Sequence, residues 1–138
     1  MNKKKSLVRM CAAIAVIGLA GCAVPGKGGK QVLSTNTIYP AIGPYSQMTS
    51  HGGLVFLSGV IPLNAAGTAV EGKTVEEQTK LVLDYIGAKL RSQGLSYDDV
   101  LMSTVYMKNL NDFAVMNKIY GEYFKTNPPA RATVEVAR

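Results

Sequence analysis

The sequence predicts an α+β domain in which two helices cover one face of a sheet. Two observations lead there. Val75, Thr79, Val82, Ile86 and Leu90 recur at the spacing of one helix face, between a capping box, Thr74-Val75-Glu76-Glu77, and a stop at Gly94. Around that helix lie short β-prone runs with period-2 alternation, and the order along the chain is hairpin, helix, strand, helix, strand.

The chain opens with MNKKKSLVR and continues into MCAAIAVIGLAGC. This is a basic segment followed by an apolar stretch of signal-peptide length, too short to span a bilayer. Residues 1–21 are therefore expected to be a secretion signal. Leu19-Ala20-Gly21-Cys22 resembles the lipobox of bacterial lipoproteins. That resemblance implies lipidation at Cys22 and an exported chain anchored to a cell-envelope membrane, facing the periplasm or the exterior. Cys11 then leaves with the signal and Cys22 is acylated, so neither a free thiol nor a disulfide is expected. Loss of Lys3, Lys4, Lys5 and Arg9 leaves eleven basic against nine acidic side chains, a formal charge of +2 in place of +6. Such a balance offers no basic footprint, and no nucleic-acid partner is expected.

Residues 22–33 read as a flexible tether, because AVPGKGGKQ has no apolar periodicity and four of its nine residues are Gly or Pro. Residues 34–138 leave room for one domain. Within it, Ser46–Ser50 and Leu54–Pro62 predict a hairpin turning at His51-Gly52-Gly53. The sole histidine sits at that turn and no thiol accompanies it, so no metal site is expected. In the first helix, Gly87 costs about 1 kcal/mol against alanine, which predicts a close approach to the sheet there. Val100–Leu110 reads as a strand. Asn111 or Asp112 then caps a second helix with a face of Phe113, Met116, Tyr120 and Phe124.

After Asn127-Pro128-Pro129, Ala132, Val134 and Val136 alternate with Thr133 and Glu135 in a half-buried strand. Arg131 shares a face with Thr133 and Glu135, and Glu135 lies roughly 13 Å along the strand, too far for easy pairing. An arginine so placed is either a solvated edge charge or a fixed guanidinium awaiting an anion.

Four segments resemble the RidA/YjgF family: Ala41-Ile42-Gly43-Pro44-Tyr45-Ser46-Gln47, then Leu57-Ser58-Gly59-Val60-Ile61-Pro62, then Asn111-Asp112-Phe113 with Asn117 and Tyr120, and finally Pro129-Ala130-Arg131 through Val134-Glu135-Val136-Ala137-Arg138. The similarity runs from about Ser34 to the last residue. It implies a chorismate-mutase-like α+β fold, a homotrimer with a cleft between neighbouring subunits, and cofactor-free hydrolysis of reactive 2-imino acids to 2-oxo acids and ammonia. It also implies that Arg131 clamps the substrate carboxylate, that Tyr45, Ser58 and Asn117 lie in or near the pocket, and that Gly59 presents backbone to the ligand. Thr133 stands where such deaminases often carry cysteine, and the backbone carbonyl at that position is expected to hold the attacking water. Family members continue into one more strand bearing a water-positioning glutamate. The domain is accordingly expected to be C-terminally truncated, and a non-catalytic envelope module binding small carboxylates such as 2-oxo acids is the alternative.

Overall fold

The computed structural model describes residues 29–137. The signal, Cys22 and most of the tether lie outside the described residues. Strand β1 (Gln31–Leu33) begins within the stretch whose composition reads as tether. It pairs antiparallel with β2 (Met48–His51), which pairs in turn with β3 (Leu54–Leu57). The β2–β3 turn falls where expected, because Gly52 and Gly53 take φ of +58° and +81°, values that glycine adopts without steric penalty. Both strands are shorter than the sequence predicts.

Helix α1 (Val75–Ser92) carries the complete capping box. Thr74 Oγ1 accepts from the Glu77 amide at 3.2 Å, and Glu77 Oε2 accepts from the amides of Thr74 and Lys73. These bonds, with Lys73 first, hold the Glu77 carboxyl below its usual range. Strand β4 (Met102–Met107) follows, then α2 (Phe113–Tyr123), and β5 (Ala130–Glu135) returns parallel to β4. Among the described residues the strands form two hydrogen-bonded groups, β1-β2-β3 and β4-β5.

The core lies where α1 and α2 meet β4, with Leu83, Met107, Met116, Ile119, Tyr120 and Phe124 buried together. Burying aliphatic and aromatic side chains of this size stabilises by about 1.5–3 kcal/mol each. Gly87 does face a close approach, but from Tyr97 rather than the sheet. A Cβ there would collide with the Tyr97 hydroxyl and lie 3.0 Å from Tyr97 Cζ and Arg91 Nη1. The capping of the second helix also differs from expectation. Asn109 Oδ1 accepts from the Asn111 amide at 2.9 Å in the 3-10 turn (Leu110–Asp112) that precedes α2, and Asp112 makes no side-chain cap bond.

The alternation of β5 is present, with its faces assigned unexpectedly. Register places Met102 beside Ala130, Thr104 beside Ala132 and Tyr106 beside Val134 on one face. That face is open: Met102 is 65 %, Tyr106 69 % and Val134 40 % exposed. The face bearing Ser103, Val105 and Met107, and with them Arg131, Thr133 and Glu135, is the one turned to the helices. In β3, Leu54 and Phe56 are likewise exposed.

Candidate functional site

Arg131 stands near the start of β5 on the strand face turned to the helices, and its partly exposed side chain lies against α2. The guanidinium lies 4.6 Å from the centroid of the Tyr120 ring and 5.7 Å from that of Phe113. Its Nη2 donates to Asn117 Oδ1 at 2.8 Å. Asn117 and Tyr120 are three apart on α2, so they present neighbouring side chains to the same strand residue. Tyr120 is fixed in turn, its hydroxyl 2.8 Å from Ser103 Oγ on β4 and its ring stacked on Phe124 at 4.3 Å. Arginine has five N–H donors. A neutral amide oxygen takes one, so a carboxylate can still meet a fork of parallel donors.

Glu135 is engaged elsewhere, accepting from the Leu110 amide at 2.7 Å and tying the end of β5 to the turn that opens α2. Thr133 points to the helix side, and its Oγ1 is buried with no hydrogen-bond partner among the described residues. Leaving a hydroxyl so costs about 1–3 kcal/mol. An open concavity of about 310 Å³ borders Arg131 and Asn117.

Tyr45, Ser58 and Gly59 lie in a second concavity, of about 320 Å³, with Tyr39 and Ile61. Within one chain, then, the expected site residues fall into two groups. Tyr45 is exposed, and its hydroxyl accepts from the Ile42 amide at 3.3 Å. Ser58 Oγ donates to the Ser46 carbonyl at 2.6 Å, which leaves its lone pairs for a ligand donor. Gly59 is exposed with no atom within 4 Å of a notional Cβ, so nothing in this chain demands glycine there.

Behind this second group sits a residue that sequence reading overlooks. Lys89 on α1 is only 3 % exposed and donates to the carbonyls of Gln47 at 3.3 Å and Ser58 at 3.2 Å. Burial pushes its ammonium below the usual lysine range. The available signal is positional: Lys89 lies three residues beyond Ile86 and seven beyond Val82, on the apolar stripe. Gln47, also buried, accepts from the Thr35 amide and donates to the Tyr39 carbonyl. Together these bonds fix the segment that carries Tyr45 and Ser58.

Helices packed on strands, with an aromatic-backed arginine where β5 meets α2, describe a small α+β domain. Residues 35–138 match the family described as Endoribonuclease L-PSP, and the chain belongs to that family. A RutC family protein of Saccharolobus solfataricus is 44 % identical over 109 residues, covering 79 % of this chain and 86 % of the relative. The chloroplastic Reactive Intermediate Deaminase A of Arabidopsis thaliana is 41 % identical over 108 residues, covering 78 % of this chain and 58 % of that protein. Among solved structures, E. coli TdcF with bound serine superposes with a TM-score of 0.72 at 35 % identity, covering 78 % of this chain and 87 % of TdcF. The RidA/YjgF relationship and the α+β fold expected from the sequence are thus borne out.

Proposed function

We propose that the protein hydrolyses small reactive 2-imino acids, or their enamine tautomers, to 2-oxo acids and ammonia, with Arg131 gripping the carboxylate. The observation that carries this reading is the preset guanidinium, backed by Tyr120, oriented by Asn117 and engaged by no acidic side chain among the hydrogen bonds of the described residues. A relative named Reactive Intermediate Deaminase A supports it, as does the serine bound by TdcF, which carries the same α-carboxylate. In the reaction a water oxygen bonds to the imine carbon and the imine nitrogen takes a proton. The resulting carbinolamine loses ammonia and leaves the carbonyl. Arg131 would orient the substrate, and the backbone carbonyl at Thr133 would hold the water. Fixing the geometry in this way is worth several kcal/mol of barrier.

Tyr45, Ser58 and Gly59 would join Arg131 and Asn117 across a subunit contact in a homotrimer, as expected from RidA-type relatives. The open apolar face of β4 and β5 is a suitable contact. Export and a lipid anchor at Cys22 belong to the same reading; Cys22→Ala should then release the protein from the membrane fraction.

Ammonia release from 2-iminobutanoate, generated in situ by an amino-acid oxidase, tests the proposal. Arg131→Ala is expected to lower kcat/KM by at least about 100-fold, the worth of a charge-assisted bidentate pair. Equal rates would remove Arg131 from the mechanism. A second reading, a module that binds 2-oxo acids without turnover, draws on the diversion of Glu135 to the Leu110 amide. Calorimetric binding of 2-oxobutanoate with no ammonia release would favour it.

A further inference from the structure

The fold itself has no need of a charge at Lys89. Its place on the apolar stripe of α1 is one that methionine or leucine would fill, and burying an ammonium without an acidic partner is costly. No acidic side chain acts on it among the described residues, and burial is the cause of its lowered pKa. Its Nζ donates instead to two backbone carbonyls, those of Gln47 at 3.3 Å and Ser58 at 3.2 Å. Both carbonyls belong to the segments that carry Tyr45 and Gly59.

The Ser58 carbonyl is one half of a peptide unit whose other half is the Gly59 N–H. In a trans peptide the two groups point in opposite directions, and no cis peptide occurs among the described residues. A carbonyl turned inward to Lys89 therefore turns the Gly59 N–H outward, toward the concavity that Gly59 lines with Tyr45 and Ser58. That N–H has no acceptor among the hydrogen bonds of the described residues. Ser58 is fixed by two further bonds, its amide donating to the Gln47 carbonyl at 3.1 Å and its Oγ to the Ser46 carbonyl at 2.6 Å. The free donor is thus held at a set angle.

Resting on the proposed reading, in which Gly59 offers its backbone to the ligand carboxylate, we infer that Lys89 is a positioning residue that aims and polarises the Gly59 N–H from behind. A cation on the carbonyl draws electron density out of the shared peptide bond, so the N–H becomes a stronger donor. The ligand then feels a buried charge that it never touches. The carbonyl oxygen lies 3.2 Å from Nζ. The peptide and the N–H···O bond beyond it add roughly 5 Å, which sets the ammonium roughly 8 Å from the bound anion. At an effective dielectric of about 20 this attraction is worth about 30-fold in affinity, and screening at an exposed site reduces it to about fivefold.

Lys89→Met removes the charge at nearly constant volume. The full-length protein and the variant, each labelled with nitrogen-15 glycine, are titrated with 2-oxobutanoate by NMR and by calorimetry. The variant is expected to bind about 5- to 30-fold more weakly. Without ligand, its Gly59 amide proton should lie upfield of the wild-type position, while the amides of Gly52 and Gly53, at the far turn of the same hairpin, stay in place. In the wild type, ligand should displace the Gly59 resonance. Equal affinities would overturn the inference, as would a Gly59 resonance indifferent to ligand. Weaker binding with Gly52 and Gly53 displaced along with Gly59 would also overturn it, because a merely structural role disturbs the whole hairpin. If Gly59 alone moves and binding weakens, yet the wild type releases no ammonia from 2-iminobutanoate, the deaminase reading is refuted and Lys89 keeps its role at a carboxylate-binding site.

Discussion

Asn117→Asp is nearly isosteric, and it places a charge where a neutral oxygen now sits 2.8 Å from Arg131 Nη2. If Arg131 waits for a carboxylate, the variant supplies an internal one. A ligand carboxylate sharing the guanidinium would lie about 5 Å from the new charge, and at an effective dielectric near 20 the repulsion is about 3 kcal/mol. Asn117 is exposed, so screening reduces that to about 1.5–3 kcal/mol. Affinity for 2-oxobutanoate should fall about 10- to 150-fold by calorimetry, and the deficit should shrink at high salt. Asn117→Ala removes the orienting bond without adding charge and should cost only about 1 kcal/mol, or fivefold. The melting temperature of the Asn117→Asp variant should hold or rise, because the introduced carboxylate pairs with Arg131. If that variant binds no more weakly than Asn117→Ala, the guanidinium is not the anion site and the electrostatic reasoning fails.

Three further outcomes are expected. Gly87→Ala should destabilise by about 1–3 kcal/mol despite the helix propensity of alanine, because Tyr97 must move and surrender its 2.7 Å bond to the Leu83 carbonyl. The loss should shrink by at least about 1 kcal/mol in a Tyr97→Phe background, and additive melting temperatures would contradict this. Lys89 has a folded-state pKa below its ordinary 10.5, so the unfolded chain binds more protons in that window and stability should climb with pH toward 10.5. The difference in stability between wild type and Lys89→Met should therefore grow in favour of wild type as pH rises toward 10.5, and a flat difference would contradict a lysine pKa lowered by burial. Tyr106→Lys on the open β4 face should lower the solution mass by analytical ultracentrifugation if that face joins subunits, and an unchanged mass would discard the contact.

What could be read from the sequence follows the range of the forces involved. The capping box of α1 and the glycine turn at residues 52–53 are decided within a few residues, so both appear as expected. Period-2 alternation likewise separates the faces of β5, but it cannot say which face the helices choose. Arg131, Thr133 and Glu135 therefore turned inward against a reading that favours burying valines. Glu135 bonding to Leu110 and Lys89 reaching Gln47 and Ser58 are tertiary contacts across 25 to 42 residues, with no local signature. Asn109 displaced the expected caps for a similar reason, because an intervening 3-10 turn moved the first free amides upstream. In the site, the resemblance implied that Asn117, Tyr45, Ser58 and Gly59 lie near Arg131, and within one chain the structure brings only Asn117 to it, through a direct hydrogen bond. It leaves Tyr45, Ser58 and Gly59 in a separate concavity of the same chain.

The stack of Arg131 on Tyr120 has a thermodynamic consequence. A free arginine side chain gives up about 2 kcal/mol of rotamer entropy when it is immobilised. Here much of that loss occurs during folding, because Tyr120 is pinned by Ser103 and Phe124 before any ligand arrives. Association then begins from an ordered state, and its entropic penalty is correspondingly smaller. If Arg131 binds a carboxylate as proposed, Ser103 acts on that affinity through Tyr120, and loosening β4 at that serine should weaken capture while leaving every first-contact group in place.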